Sequence, residues 1–133
     1  MRAEAISRLR AVLLGLTGLG CLAYAVAALV AGRPDPVAWY WPSVLGALSG
    51  LAIGAVSVRA GRAASRAAAD ELFRLVWARA QGQAYWVSLA IFAVLGFVAA
   101  AGLIGWATAY AAMGCLMGAA FLLLFVWHDL RLA

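Results

Sequence analysis

The sequence predicts an all-α membrane protein, a four-transmembrane-helix bundle, and two observations carry that prediction. The chain of 133 residues is 68% hydrophobic and 11% charged, whereas a soluble domain is about half apolar and about a quarter charged. The apolar residues also come in long charge-free blocks, each close to or longer than the roughly 20 residues that cross about 30 Å of hydrocarbon as a helix. Because the blocks lack the alternation of barrel strands, helices are the expected spanning form. We expect one membrane domain, residues 1–133.

The positions of the four spans follow from the charge-free blocks and from the residues that interrupt them. Pro34, Pro36 and Pro42 disfavour regular helix before the second span. The last block, residues 80–128, is too long for one span, and the small residues within 105–108 permit a turn. The spans are therefore expected at about residues 10–32, 43–60, 82–105 and 107–128, with a loop and helix foot at about 61–81.

Arginine is distributed unequally between the two sides of these spans. Nine of the ten basic residues fall on one side and only Arg33 on the other, which by the positive-inside rule places both termini and the central loop in the cytoplasm. The expected location is the bacterial inner membrane. Anionic lipid headgroups are then sufficient counter-charges for the net charge of +5, so no nucleic-acid partner is needed. The nine arginines are Arg2, Arg8, Arg10, Arg59, Arg62, Arg66, Arg74, Arg79 and Arg131.

Tryptophan and tyrosine mark the two membrane surfaces in this arrangement, as aromatic belts do. Trp86 and Trp106 lie about 30 Å apart if the chain between them is helical. The Trp39–Trp41 stretch beside the prolines also suits an amphiphile-binding site, although we favour the belt. The outer belt is expected to hold Trp39, Tyr40, Trp41, Trp106 and Tyr110, and the inner belt Trp77, Tyr85, Trp86 and Trp127.

The residue types needed for chemistry are nearly absent from the spans. Apart from Arg10 and Arg59 at the ends of two spans, no acidic or basic residue lies inside any span, whereas small multidrug antiporters of similar size depend on a glutamate within the first helix. The chain has no lysine and one histidine, His128, which is expected to act as an ordinary cation at a helix end. Cys21 and Cys115 are isolated and are expected to be small buried hydrophobes. We therefore expect no enzyme activity, no catalytic residue, no cofactor and no metal.

Glycines recur at a spacing that favours close helix packing. Small residues four apart form a flat stripe on which a second helix backbone can approach. We expect this packing within the bundle, with a homodimer interface as the alternative. The stripe glycines are Gly46, Gly50 and Gly54 in the second span and Gly114 and Gly118 in the fourth.

The stretch from Asp70 to Trp86, DELFRLVWARAQGQAYW, is unusually polar for this chain. Asp70 is placed to cap a helix and Glu71 to lie in its first turn, so the third helix is expected to start at Asp70 and to extend into the cytoplasm. Arg74 is spaced to pair with both acids. Two roles stay open: an anchor held by local ion pairs, or a surface that docks a partner. Asp70, Glu71, Arg74 and Arg79 are the candidate residues for either role.

The same stretch resembles a segment found in a family of small, uncharacterised, four-helix bacterial membrane proteins. That segment has an Asp-Glu-Arg start, a spacer, Lys/Arg-Ala and an aromatic pair, and Leu72 stands here where the family has Arg. The resemblance implies a regulatory or partner-binding role. We expect a protein that acts by contact, as an accessory subunit or membrane-held regulator, in a homo-oligomer or with another membrane protein. The alternative is a homo-oligomeric channel or carrier for a small apolar or neutral solute. The matching residues are Asp70, Glu71, Arg79, Ala80 and Tyr85.

Overall fold

The computed structural model describes residues 3–132, and these form long helices joined by short connections. Within these residues, four helices are long and apolar enough to cross a membrane, which confirms the predicted all-α class and the predicted number of helices that could span. Arg2 of the topology argument, and the ends of the predicted domain at Met1 and Ala133, lie outside the described residues. The helices are α1 (Ala3–Ala31), α2 (Trp41–Ala68), α3 (Glu71–Ala100) and α4 (Trp106–Leu132).

Two helices begin earlier than the sequence indicates. α1 begins at Ala3 rather than near residue 10, because helix continues through the charged residues that precede the apolar block. α2 begins at Trp41 rather than near residue 43, with Pro42 in its first turn. A proline is tolerated there because the first N–H groups of a helix have no intrahelical acceptor.

The end of α3 was predicted wrongly, and Gly102 is the reason. α3 ends at Ala100, not near residue 105, and Gly102 takes a left-handed φ of 75° just beyond it. The Gly102 N–H donates to Ala99 O at 3.0 Å and the Leu103 N–H donates to Val98 O at 3.2 Å, which is the bonding pattern of a Schellman motif. The turn between α3 and α4 therefore occupies residues 101–105, and Trp106 opens the next helix.

The segment between the second and third spans is mostly helical rather than a loop. α2 continues past residue 60 through a bend at Gly61, whose φ of 83° and ψ of 165° are not helical. Helix then resumes as far as Ala68, and residues 69–70 alone separate α2 from α3.

The helices pack as neighbours in the order α2, α1, α4, α3. α1 runs antiparallel to α2, where Thr17 Oγ1 lies 2.7 Å from Ser49 Oγ, and antiparallel to α4, where Gly18 faces Leu122. α2 stands at the edge of the bundle, since 6% of its most apolar window is buried against 33% for α1. The N-termini of α1 and α3 and the C-termini of α2 and α4 therefore share one end of the bundle, which we call the basic end.

Small side chains fill most of the helix interfaces. Alanine rather than glycine is the main residue at the contacts, which lets helix backbones approach closely in a membrane. One buried cluster near the α3–α4 turn contains Leu95, Ala99 and Met113, and a second near the basic end contains Val76, Ala80 and Phe125. The most deeply buried alanines are Ala25, Ala28, Ala80, Ala109, Ala112 and Ala119.

Candidate functional site

An aromatic cluster around Arg10 joins three helices at the basic end. The Arg10 guanidinium of α1 lies 4.1 Å from the ring centroid of Phe73 in α3 and 5.7 Å from that of Phe125 in α4. Such cation–π contacts stabilise by about 0.5–2 kcal/mol. Trp77 packs edge-on against Phe121, with ring centroids 4.8 Å apart. The cluster of Arg10, Phe73, Trp77, Phe121 and Phe125 therefore fixes the foot of α3 against the bundle.

Two acidic residues lie close enough to the aromatic cluster for their charges to act on Arg10. The charges of Asp129 and Asp70 both act on the Arg10 guanidinium. Sequence reasoning used Arg10 only as a topology marker and matched Asp70 with other arginines. No local pattern relates Arg10 to Phe73 or Asp129, because the residues come together only when α1, α3 and α4 pack.

The predicted polar foot of α3 is present, but its contacts differ from those expected. The Asp70 carboxylate accepts a hydrogen bond from the Phe73 N–H at 2.9 Å, which confirms the predicted cap at the start of α3. Among residues 3–132, no ion pair joins Asp70 or Glu71 to Arg74, so the expected lacing of this turn is wrong. Arg74 lines a shallow apolar depression with Phe73 and Trp77. Glu71, Arg74 and Arg79 are exposed.

His128 links the two helices of the α3–α4 pair. Its Nε2 lies 2.8 Å from Oε1 of Gln83. The hydrogen bond joins residues of two helices at the level where the apolar part of α4 ends. His128 thus joins α3 to α4, and no sequence pattern pairs it with Gln83.

The predicted packing glycines of α2 do not meet another helix of the same chain. A Cβ added at Gly46, Gly50 or Gly54 would have no atom within 4 Å among the described residues, and the same holds for Gly114 and Gly118. The expected contact within the bundle is therefore wrong at these positions. We call Gly46, Gly50 and Gly54 the glycine face of α2. It is exposed because α2 packs against α1 through other residues.

The glycines that do pack closely belong to α1. A Cβ at Gly18 would lie 3.1 Å from Leu122 Cβ and from two side-chain atoms of Leu123, and one at Gly20 would lie 2.8 Å from Leu45 Cδ1. Gly20 belongs to no series of small residues four apart, so the sequence pattern does not indicate its contact with α2. Gly18 packs against α4 and Gly20 packs against α2. The two glycines therefore lie on different faces of α1 and do not form one stripe.

All nine predicted belt residues are exposed large aromatic side chains. Trp86 and Trp106 do not lie on one helix, since α3 ends at Ala100, and the spacing argument made for that pair is wrong. Trp106 and Trp127 do share α4 and are about 32 Å apart along it. Trp127 also stacks with Arg131, whose guanidinium carbon lies 4.0 Å from the ring centroid.

The other end of the bundle is held by a tyrosine. Tyr24 of α1 is buried, and its hydroxyl donates to Pro34 O at 2.9 Å. This bond ties the α1–α2 connection back to α1. Trp41, Val37 and Tyr24 line a cavity of about 400 Å³ beside it, at the place where the Trp39–Trp41 stretch suggested an amphiphile site.

Comparison with protein-family models, with curated proteins and with solved structures gives no match to this chain. The resemblance of the Asp70 to Trp86 stretch to a family of small four-helix membrane proteins accordingly stays a prediction. Within residues 3–132 there is also no group of three or more His, Cys, Asp or Glu side chains that could hold a metal ion.

Proposed function

We propose that the protein crosses the bacterial inner membrane four times, with both termini in the cytoplasm, and acts by contact with another membrane protein. The distribution of arginine supports the orientation, because nine of ten lie toward the basic end in sequence and one, Arg33, lies opposite. In this orientation the basic end is cytoplasmic. The foot of α3 then projects toward the cytoplasm.

The glycine face of α2 is the observation that carries the proposal. Gly46, Gly50 and Gly54 have helical spacing, and a Cβ added at any of them would meet no atom within 4 Å among the residues that the structure describes. A flat small-residue surface of this kind gives a poor fit to flexible lipid chains but a close fit to a second helix, where dispersion contacts accumulate. A helix of another protein would cover this face, as α1 covers the face that holds Leu45 and Ser49.

The polar foot of α3 supplies a second surface for the same partner. The exposed charges Glu71, Arg74 and Arg79 are free of the expected local ion pairs among the described residues. Asp70, by contrast, is engaged as the cap of α3. The anchor role thus fits Asp70 and the docking role fits Glu71, Arg74 and Arg79. Membrane-held regulators and accessory subunits both work through surfaces of this type, with no catalytic residue or cofactor.

A channel or carrier is the weaker candidate. Thr17 and Ser49 are polar residues within the first two spans, and their hydroxyls bond to each other at 2.7 Å. Thr17 also donates to Leu13 O at 2.8 Å. Hydroxyls that are satisfied in this way do not form the polar stripe that a water-filled path needs.

Co-purification in mild detergent tests the proposed function. The full chain is expected to retain a different membrane protein, and Gly50→Leu to lose it, because a large side chain forces the two helices apart. Gly96→Leu in α3 is the control, since Gly96 also faces open space. Retention of the same partner by the Gly50→Leu protein would contradict the proposal, and a purely homo-oligomeric mass would favour the channel.

A further inference from the structure

α2 bends sharply at Gly61, and we call residues 57–65 around this bend the elbow. Gly61 has a φ of 83°, in a region that side-chain-bearing residues rarely adopt. The Ser65 hydroxyl reaches back across the bend and donates to Ser57 O at 2.7 Å. The elbow borders an open cavity of about 400 Å³ lined by Ser57, Val58, Gly61, Arg62 and Ser65.

The elbow lies at the depth of a membrane surface. α2 begins at Trp41, and the 20 residues from there to Gly61 rise about 30 Å, which matches the thickness of the hydrocarbon layer. Trp41 belongs to the aromatic residues grouped at the opposite end. With Trp41 at the opposite surface, as the predicted outer belt requires, the bend falls where α2 leaves the hydrocarbon, and the seven helical residues after it, 62–68, fall in the headgroup layer.

The charged residues of α2 are all positive. Arg59, Arg62 and Arg66 are all exposed, and the sequence has no acid between Asp35 and Asp70. Among the described residues, none of these three guanidinium groups has an ion-pair partner. Guanidinium groups bind phosphate oxygens through paired hydrogen bonds, and basic clusters beside a membrane helix attract anionic lipids.

We propose that the elbow is a binding site for the phosphate headgroup of an anionic phospholipid. Arg62 lines the cavity and contacts the phosphate, Arg59 and Arg66 supply further positive charge on its rim, and Val58 contacts the start of an acyl chain. The elbow holds the headgroup at a fixed place, whereas general attraction to the membrane surface would spread it over all the arginines. The site does not depend on a partner for the glycine face of α2.

Lipid retention by the full chain in detergent, measured by native mass spectrometry, tests the site. The probes are phosphatidate, phosphatidylglycerol and phosphatidylcholine, added one at a time. We expect one anionic lipid to be retained over phosphatidylcholine, and the double variant Arg62→Gln/Arg66→Gln to bind it about 25-fold more weakly, or about fivefold for each arginine. The control Arg8→Gln/Arg74→Gln removes the same charge at the same end of the bundle and should leave binding within about twofold. Equal weakening in both double variants would overturn the proposal.

Two further arms separate the elbow from its alternatives. Gly61→Ala should lose the retained lipid because the positive φ is strained for alanine, whereas Gly54→Ala, which also faces open space, should keep it. Lipid retention that survives in Gly61→Ala would show that the bend is not the site. Inorganic phosphate is the remaining probe: binding of inorganic phosphate at the elbow without retention of phosphatidate would overturn the lipid as its occupant.

Discussion

Gly18 and Gly20 determine how closely α1 can approach its two neighbours. Gly18 lies against Leu122 and Leu123 of α4, and Gly20 lies against Leu45 of α2. Interhelical contact in a membrane depends on packing rather than on the hydrophobic effect, because lipid is as apolar as the side chains. A single added side chain at these places therefore acts directly on the stability of the bundle.

Gly18→Leu is expected to destabilise the protein. The added side chain has to displace Leu122 or move α1 away from α4, and overpacking of this kind costs about 1–3 kcal/mol. The measurement is the free energy of unfolding in mixed detergent micelles. Gly50→Leu is the matched control, because a Cβ there meets no atom within 4 Å. Equal loss of stability in the two variants would show that the α1–α4 contact is wrong.

The positions of the packing glycines illustrate the limits of sequence at this scale. The spacing of Gly46, Gly50 and Gly54 correctly indicates a small-residue face, but spacing carries no information on whether a helix of the same chain covers it. Gly20 follows Gly18 by two residues, and residues two apart in a helix lie on different faces. The two glycines therefore form no stripe. Their roles depend on which helices flank α1, which is a property of the whole bundle.

α3 carries both an apolar stretch and a polar foot at the basic end. Its start was predicted from Asp70 and Glu71, since a capping residue followed by an acid is a local pattern. The cap is observed. Phe73 packs against Phe125, and Trp77 packs against Phe121. A local sequence pattern does not predict these contacts, because they form only when α3 packs against α4.

The cap and the charge of Asp70 can be separated by substitution. Asp70→Ala removes the side-chain acceptor for the Phe73 N–H and should lower the free energy of unfolding by about 0.5–2 kcal/mol. Asp70→Asn keeps an acceptor and removes the charge, so most of that stability should remain. The readouts are chemical denaturation in detergent and protection of the Phe73 amide from hydrogen exchange. If Asp70→Asn is as unstable as Asp70→Ala, the charge acting on Arg10 matters more than the cap.

Helix ends elsewhere show which boundaries the sequence predicts. The prolines predict a start of α2 near residue 43, yet Pro42 fits in its first turn, since a first-turn proline lacks only an N–H that would have no partner. The glycine at 102 ends α3 through a left-handed turn, and the sequence alone did not distinguish it from the neighbouring Gly105. Charge-free blocks therefore predict the number of spans well and their ends poorly.

At the scale of the whole molecule, the basic end and the Arg33 end make the protein asymmetric across the membrane. Antiparallel packing brings the termini of the helices that carry most arginines to one side. Positive charge is retained on the cytoplasmic side during insertion. The asymmetry therefore predicts the orientation of the entire bundle.

Cysteine labelling in intact cells checks this orientation. Val37→Cys and Ala69→Cys are made in a background without Cys21 and Cys115, and both positions are exposed. An impermeant maleimide added outside, with an opened outer membrane, should label position 37 and not position 69. After the inner membrane is permeabilised, both positions should react. Labelling of position 69 from outside would invert the model of the topology.

Contact through the glycine face of α2 is the central claim, and photocrosslinking in native membranes tests it most directly. A benzophenone amino acid replaces Ala47, beside the glycine face, or Ala93, an exposed position on α3. We predict that position 47 gives one discrete adduct with a different protein and that position 93 gives only lipid adducts. Lipid adducts alone at position 47 would contradict contact through this face, and an adduct of twice the mass of the chain would contradict the accessory role.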